Sequence, residues 1–206
     1  MTTRLDLEQA LVASGHTVIA GIDEAGRGAL AGPVAAGAVI LPLDRADQLE
    51  KLVDVRDSKK CTALQRDSLY ALVCDTAICA AVGMATPAEI DRIGIRPAVH
   101  LAMRRALYQL RPFPHALIID YERLKLVGLP QQSPQKGEDV SLSVAAASIL
   151  AKVARDRYMI AAAAVDYPDY GFARHKGYAT QAHRDAIAQL GPTPIHRHSF
   201  APIRKS

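Results

Sequence analysis

The sequence predicts an α/β fold, a mixed sheet with helices on both faces. Three observations carry this. Short apolar runs at Thr17–Ile22, Val34–Leu41 and Ile78–Met84 have strand composition and follow one another without a long crossover. Helical periodicity then alternates with a fourth apolar run, Leu117–Ile119. The chain has 206 residues, 50% hydrophobic and 22% charged, which suits one sizeable core.

The first three strands, so close in sequence, form an expected antiparallel meander. The first two flank a glycine-rich turn. Helices are expected at Leu64–Val73, Pro87–Arg92 and Arg96–Leu110, with Pro97 tolerated in a first turn. Residues 121–140, with Pro130 and Pro134, form an irregular loop of a length that often serves function. An alanine-rich helix follows at Leu142–Val165 and another at Thr180–Leu190. The segment Asp166-Tyr-Pro-Asp-Tyr-Gly171 ends the long helix, and the proline-rich residues 191–203 are expected to be extended. This order predicts a body over 1–165 and a C-terminal extension over 166–206 packed on it as one structural unit.

Composition excludes several classes. The acidic N-terminus lacks the apolar core of a signal peptide, and no apolar run is long enough to span a membrane. Cys61, Cys74 and Cys79 have neither paired spacing nor an even count, so the expectation is a reduced, cytoplasmic protein without a disulfide framework. Charge is unevenly distributed. From Gly171 onward six basic residues face one acid, so that tail carries +5 of an overall +4. A basic segment on a near-neutral body points to a polyanion partner, although a charge run is also commonly a solvated surface.

The chemistry concentrates in Gly21-Ile-Asp-Glu-Ala-Gly-Arg-Gly28. Asp23 and Glu24 close the first strand, where alternation would send them to opposite faces. The glycines at 26 and 28 are expected to let the chain bulge and swing both carboxylates to one spot. Gly26, Arg27 and Gly28 would also expose backbone N–H groups to a ligand. Asp120, at the end of the fourth strand, is either a strand-end cap or a ligand facing the crevice of an α/β sheet. Glu138 and Asp139, before the alanine-rich helix, either favour its N-terminus or join the site.

Convergence of Asp23, Glu24, Asp120 and Glu138 would require cations to offset their repulsion. Mg2+ or Mn2+ meets that need, and the corresponding reaction is displacement at phosphorus. Ser148, Lys152 and Arg155 fall on one helical stripe that reads equally as a phosphate track or as a surface with a Lys152–Asp156 pair. Tyr178, an aromatic among basic residues, is a candidate for stacking on nucleic acid or for packing under a turn.

Six blocks in order resemble the bacterial ribonuclease HII family, from about residue 18 to 204. They are Gly21–Val34, Asp57-Ser-Lys-Lys60, Ile118-Ile-Asp120, Ala145–Asp156, Tyr170–Thr180 and His196–Pro202. The resemblance implies a ribonuclease H-like mixed sheet with a helical C-terminal extension. It implies cleavage of the RNA strand of RNA–DNA hybrids and nicking of duplex DNA 5′ of a single ribonucleotide, by a monomer using two divalent ions, Mn2+ or Mg2+. Asp23, Glu24 and Asp120 match the family's metal-binding carboxylates, and Glu138 takes the fourth place, where the family usually has aspartate. Gly26-Arg27-Gly28 matches the element that senses the ribose 2′-hydroxyl, and Tyr178 the tyrosine against the following sugar. Lys59, Ser148 and Lys152 complete the expected substrate contacts. Tyr121 departs from the family, which usually has glycine after this aspartate, and is expected to crowd the strand end or redirect the loop.

Overall fold

The computed structural model describes residues 5–55 and 61–204. Asp57–Lys60, Lys59 included, therefore lies outside the described residues. Helix α1 (Asp6–Ala13) precedes β1 (Ile19–Ala25) and β2 (Val34–Ile40). Helix α2 (Ala63–Thr76) leads to β3 (Cys79–Ala85), α3 (Pro87–Ile93), α4 (Ile95–Leu107) and β4 (Ala116–Ile119). Then come β5 (Gln131–Gln132), the short α5 (Gly137–Val140), the long α6 (Leu142–Tyr158) and α7 (Gln181–Leu190).

The sheet order is β3-β2-β1-β4-β5. β1, β2 and β3 form the expected antiparallel meander, while β4 runs parallel to β1 and β5 parallel to β4. Ile22, Ala36, Ala38 and Ile119 meet Val99, Ala102 and Met103 of α4 on one face. On the other, Val39 and Leu41 meet Ala145, Ala146 and Ile149 of α6, with Val73 of α2 behind. Helices thus cover both faces, as the alternation of elements predicts.

The alanines of α6 are there for close approach. A Cβ at Gly37 would run into the carbonyl of Ala147, and one at Gly21 into the backbone of Ser143. Gly37 pairs with Asp23 across β1 and β2, so this contact brings Ser148, the next residue along α6, beside Asp23. Gly37→Ala should therefore destabilise the protein by roughly 2–3 kcal/mol, as overpacking does. Urea unfolding checks it; an unchanged midpoint would show that helix and sheet can separate without cost.

Four features depart from the sequence reading. Helix α1 lies where the sequence reading predicts no element, and its Glu8 is buried and accepts hydrogen bonds from the Ser141 hydroxyl (2.6 Å) and the Ser143 N–H (3.0 Å). A carboxylate there complements the positive end of α6. The 121–140 loop carries β5, fastened because the Gln131 side chain bonds both N–H and C=O of Leu124. The long helix continues past Tyr158, but as a π-helical segment, Met159–Ala163, before closing at Asp166. Residues 191–203 are free of helix but fold as turns, with one bridge from His196 to Ala31.

Candidate active site

The acids gather at the carboxyl ends of β1 and β4, the edge at which parallel strands present ligands. No bulge brings them there. Strand pairing continues regularly through Asp23↔Gly37 and Glu24↔Ala36, so the two side chains alternate as strand geometry dictates. The expected swing at the glycines is thus corrected. The meeting point is Asp120, one residue past β4, whose N–H donates to the Ile22 carbonyl at 3.1 Å. Its charge acts on both Asp23 and Glu24.

Asp23 is buried, and burial, followed by the charges of Glu24 and Asp120, pushes its carboxyl well above the usual range. A hydrogen bond from Ser148 and one from the Glu24 N–H (2.7 Å) oppose that rise and orient the carboxylate. Burial also raises Glu24; Arg27 opposes it, and Asp120 and Glu122 add to it. The Gly137 N–H donates to Asp120 Oδ1 at 2.6 Å, which docks the Lys136-Gly137-Glu138 triplet against the site. Glu138 is buried there and Asp139 is exposed.

Among the described residues, no three His, Cys, Asp or Glu side chains are already arranged to hold an ion. The acids acting on Asp23 nonetheless offer carboxylate oxygens, and their mutual repulsion is relieved by a hard divalent cation. The donor set therefore fits Mg2+ or Mn2+.

The glycine loop is held by two arginines. Arg197 is fully buried and donates to the carbonyls of Gly32 (3.0 Å), Arg27 (2.9 Å) and Gly26 (2.7 Å). Arg155, equally buried, donates to the carbonyls of Pro33 (2.8 Å) and Ala31 (3.0 Å). Arg155 is thus removed from any surface phosphate track, because its guanidinium serves the loop. Burial, then repulsion from Arg155, lowers Arg197 to about 9. Gly26 has φ +87°, and a Cβ there would overlap the Arg155 side chain, so only glycine fits. Gly28 faces open space instead.

Tyr178 is half-buried, with Arg155 Cζ 5.0 Å and Lys152 Nζ 5.1 Å from its ring centre. Lys152 also pairs with Asp156 at 2.8 Å. Ser148 is buried against Asp23. Tyr121 takes a left-handed φ of +56°, the conformation glycine adopts without cost, and its side chain is exposed. The loop is redirected through the backbone; the strand end is not crowded.

Sequence reasoning missed Glu122, Arg197 and the histidine cluster described below. Glu122 is almost wholly buried between Arg27, Arg96 and His100. Its only sequence signal was its place two residues after Asp120. Of the basic tail, Arg174, Arg184 and Arg204 are exposed, whereas Arg197 is interior.

The family model described as ribonuclease HII matches residues 20–203. The ribonuclease HII of Chloroflexus aggregans is 49% identical over 203 residues, spanning 98% of this chain and 95% of its own. Ribonuclease HII in the structure of the PCNA:RNase HII complex from Archaeoglobus fulgidus is similar with a TM-score of 0.75 and 28% identity, over 92% of this chain and 98% of that one. Bst-RNase HIII in complex with Mn2+ shares the fold, with a TM-score of 0.67 and 20% identity over 90% of this chain and 68% of that one. Fold and matches together define a metal-dependent ribonuclease, a hydrolase. The chain belongs to the ribonuclease HII family.

Proposed function

We propose that the chain is an endoribonuclease that hydrolyses the RNA strand of RNA–DNA hybrids and nicks duplex DNA 5′ of a single embedded ribonucleotide, leaving 5′-phosphate and 3′-hydroxyl ends. The observation that carries this reading is the convergence of Asp23, Glu24 and Asp120 at adjacent strand ends beside the glycine loop. Asp23, Glu24, Asp120 and Glu138 would hold two divalent ions; burial of Glu138 and exposure of Asp139 support that choice of fourth acid. Such ions, when bound, activate a water and stabilise the departing 3′-oxygen.

The remaining groups position and select. Ser148 and the Glu24 N–H fix the Asp23 carboxylate, and the Gly137 N–H fixes that of Asp120. Open space at Gly28 supports close approach of a sugar to the Gly26-Arg27-Gly28 backbone, where the 2′-hydroxyl is the mark that separates RNA from DNA. Tyr178, flanked by Lys152, is suited to the next sugar. The C-terminal segment from 166 onward, with Arg174 and Arg184 exposed, supplies positive charge for phosphates. Free cysteines and the lack, among the described residues, of any helix long and apolar enough to cross a membrane agree with a cytoplasmic enzyme.

The test is a duplex bearing one ribonucleotide, incubated with Mg2+, Mn2+ or EDTA and mapped at nucleotide resolution. A nick 5′ of the ribonucleotide, dependent on the ion, is the expected product; cleavage elsewhere, or in EDTA, sinks the reading. In the same assay Tyr178→Ala should weaken the single-ribonucleotide nick about tenfold more than cutting of a continuous hybrid, in the range of one lost stacking contact. Equal losses on both substrates would remove Tyr178 from junction recognition.

A further inference from the structure

Arg27 places one guanidinium between two carboxylates. Its Nη1 lies 3.5 Å from Glu24 Oε1 and its Nη2 lies 3.2 Å from Glu122 Oε1. The Glu122 contact meets an ion-pair distance without hydrogen-bond alignment. Arg27 is thus shared between two loose contacts, and its side chain remains 40% exposed.

Glu122 is anchored from the other side. Its Oε2 accepts from Arg96 Nε at 3.2 Å and contacts His100 Nε2 at 3.1 Å, and the Ser133 hydroxyl donates to its backbone carbonyl at 2.9 Å. The Arg96 guanidinium meets Oε2 through both Nε and Nη2, each at 3.2 Å, so the carboxylate is anchored as one half of an ion pair. A fixed, charged, interior oxygen therefore faces the Arg27 guanidinium, opposite Glu24.

We infer that Glu122 is a positioning residue that draws Arg27 away from Glu24, so that the Glu24 carboxylate can be taken by a divalent cation. This rests on the reading of Glu24 as a metal-binding acid. Arg27 then competes with the ion for Glu24, and Glu122 sets how strongly it competes. With Glu122 neutralised, the guanidinium settles fully on Glu24. With the Arg27 charge removed, Glu122 has no cation left to draw away from Glu24 and its effect on the ion disappears.

The experiment titrates the full chain with Mn2+ alone, without nucleic acid, and follows free ion by its paramagnetic resonance signal. Arg27→Met should bind Mn2+ about three- to fivefold more tightly than the wild type, the range of a half-exposed ion pair. Glu122→Gln should bind it more weakly by a similar factor, and the double variant should match Arg27→Met. That last equality separates handover from simple field effects, because a remote charge would act equally in both backgrounds. Unchanged or weaker binding by Arg27→Met, or a full Glu122→Gln effect in its presence, overturns the inference. Should Glu122→Gln fail to fold, the Arg27→Met arm still decides the competition. Asp23→Asn is the control: if it leaves Mn2+ binding intact, the reading of the acid cluster fails first, whereas loss there with no change in Arg27→Met refutes only the handover.

Discussion

Asp23→Asn and Asp120→Asn should each lower cleavage by roughly a thousandfold or more, while the variants still bind hybrid at least as tightly as the wild type. The size follows from the chemistry, since loss of metal-assisted charge stabilisation costs several kcal/mol at the transition state. The direction of the binding change follows from the electrostatics. Burial and two neighbouring acids already push the Asp23 carboxyl up, so the pocket holds its charges against repulsion. Removing one charge relieves that repulsion and lowers the barrier to an approaching phosphate. Asparagine nearly preserves volume, and Ser148 can still bond the amide oxygen, so the fold should survive. Single-turnover cleavage and a filter-binding titration measure the two halves separately. Turnover within a few-fold of the wild type would exclude the residue from the reaction; loss of binding together with turnover would make it structural.

How far the site was legible depends on where each residue's partner lies in the chain. Asp23, Glu24 and Asp120 stand out as candidates because an acid ending an apolar run is a local signal. Their means of meeting does not. The sequence reading invokes a bulge at the glycines, whereas β1 stays regular and the parallel neighbour β4 delivers Asp120 beside the end of β1. A parallel pairing between segments nearly a hundred residues apart leaves no mark on either. Arg155 shows the same limit from another side. Helical spacing placed it correctly in line with Ser148 and Lys152, but periodicity cannot tell a solvent-facing stripe from one facing a loop. Only the folded carbonyls of Ala31 and Pro33 decide that, and they bury the guanidinium. Strand β5 was missed because Gln131–Gln132 has no apolar pattern; its glutamine side chain, bonding Leu124, does the work.

Stability should fall as pH drops from about 6.5 toward about 4, and a histidine relay in the C-terminal segment is the cause. His183 and His196 are fully buried, with their Nε2 atoms 3.1 Å apart. The backbone fixes their tautomers. The Thr193 N–H donates to His196 Nδ1 at 2.9 Å, so His196 carries its proton on Nε2 and donates to His183. His183 then carries its proton on Nδ1, which donates to the Tyr178 carbonyl at 3.0 Å. Every position is satisfied with both rings neutral. Protonating either one would set two N–H groups against each other, with His175 stacked 4.4 Å from His183 as a further charge to avoid.

Burial first, and then neighbouring histidine charge, lowers both groups to about 4. The sign follows directly. The unfolded chain takes up these protons near the ordinary histidine value of about 6.5, and the folded chain refuses them until about pH 4, so the stabilisation is complete above 6.5 and is lost across that window. For either ring alone the loss is on the order of 3 kcal/mol, and because the rings share a hydrogen bond they titrate as a pair. Urea unfolding of the wild type at a series of pH values, beside His183→Leu/His196→Leu, isolates this contribution from that of the carboxylates. The double variant should be less stable at neutral pH and distinctly flatter through the window; parallel curves would show that the rings do not carry the dependence. Since the relay ends on the Tyr178 carbonyl, acid should loosen Tyr178 before the sheet unfolds. Discrimination between a single ribonucleotide and a continuous hybrid should then decline at a higher pH than cleavage itself.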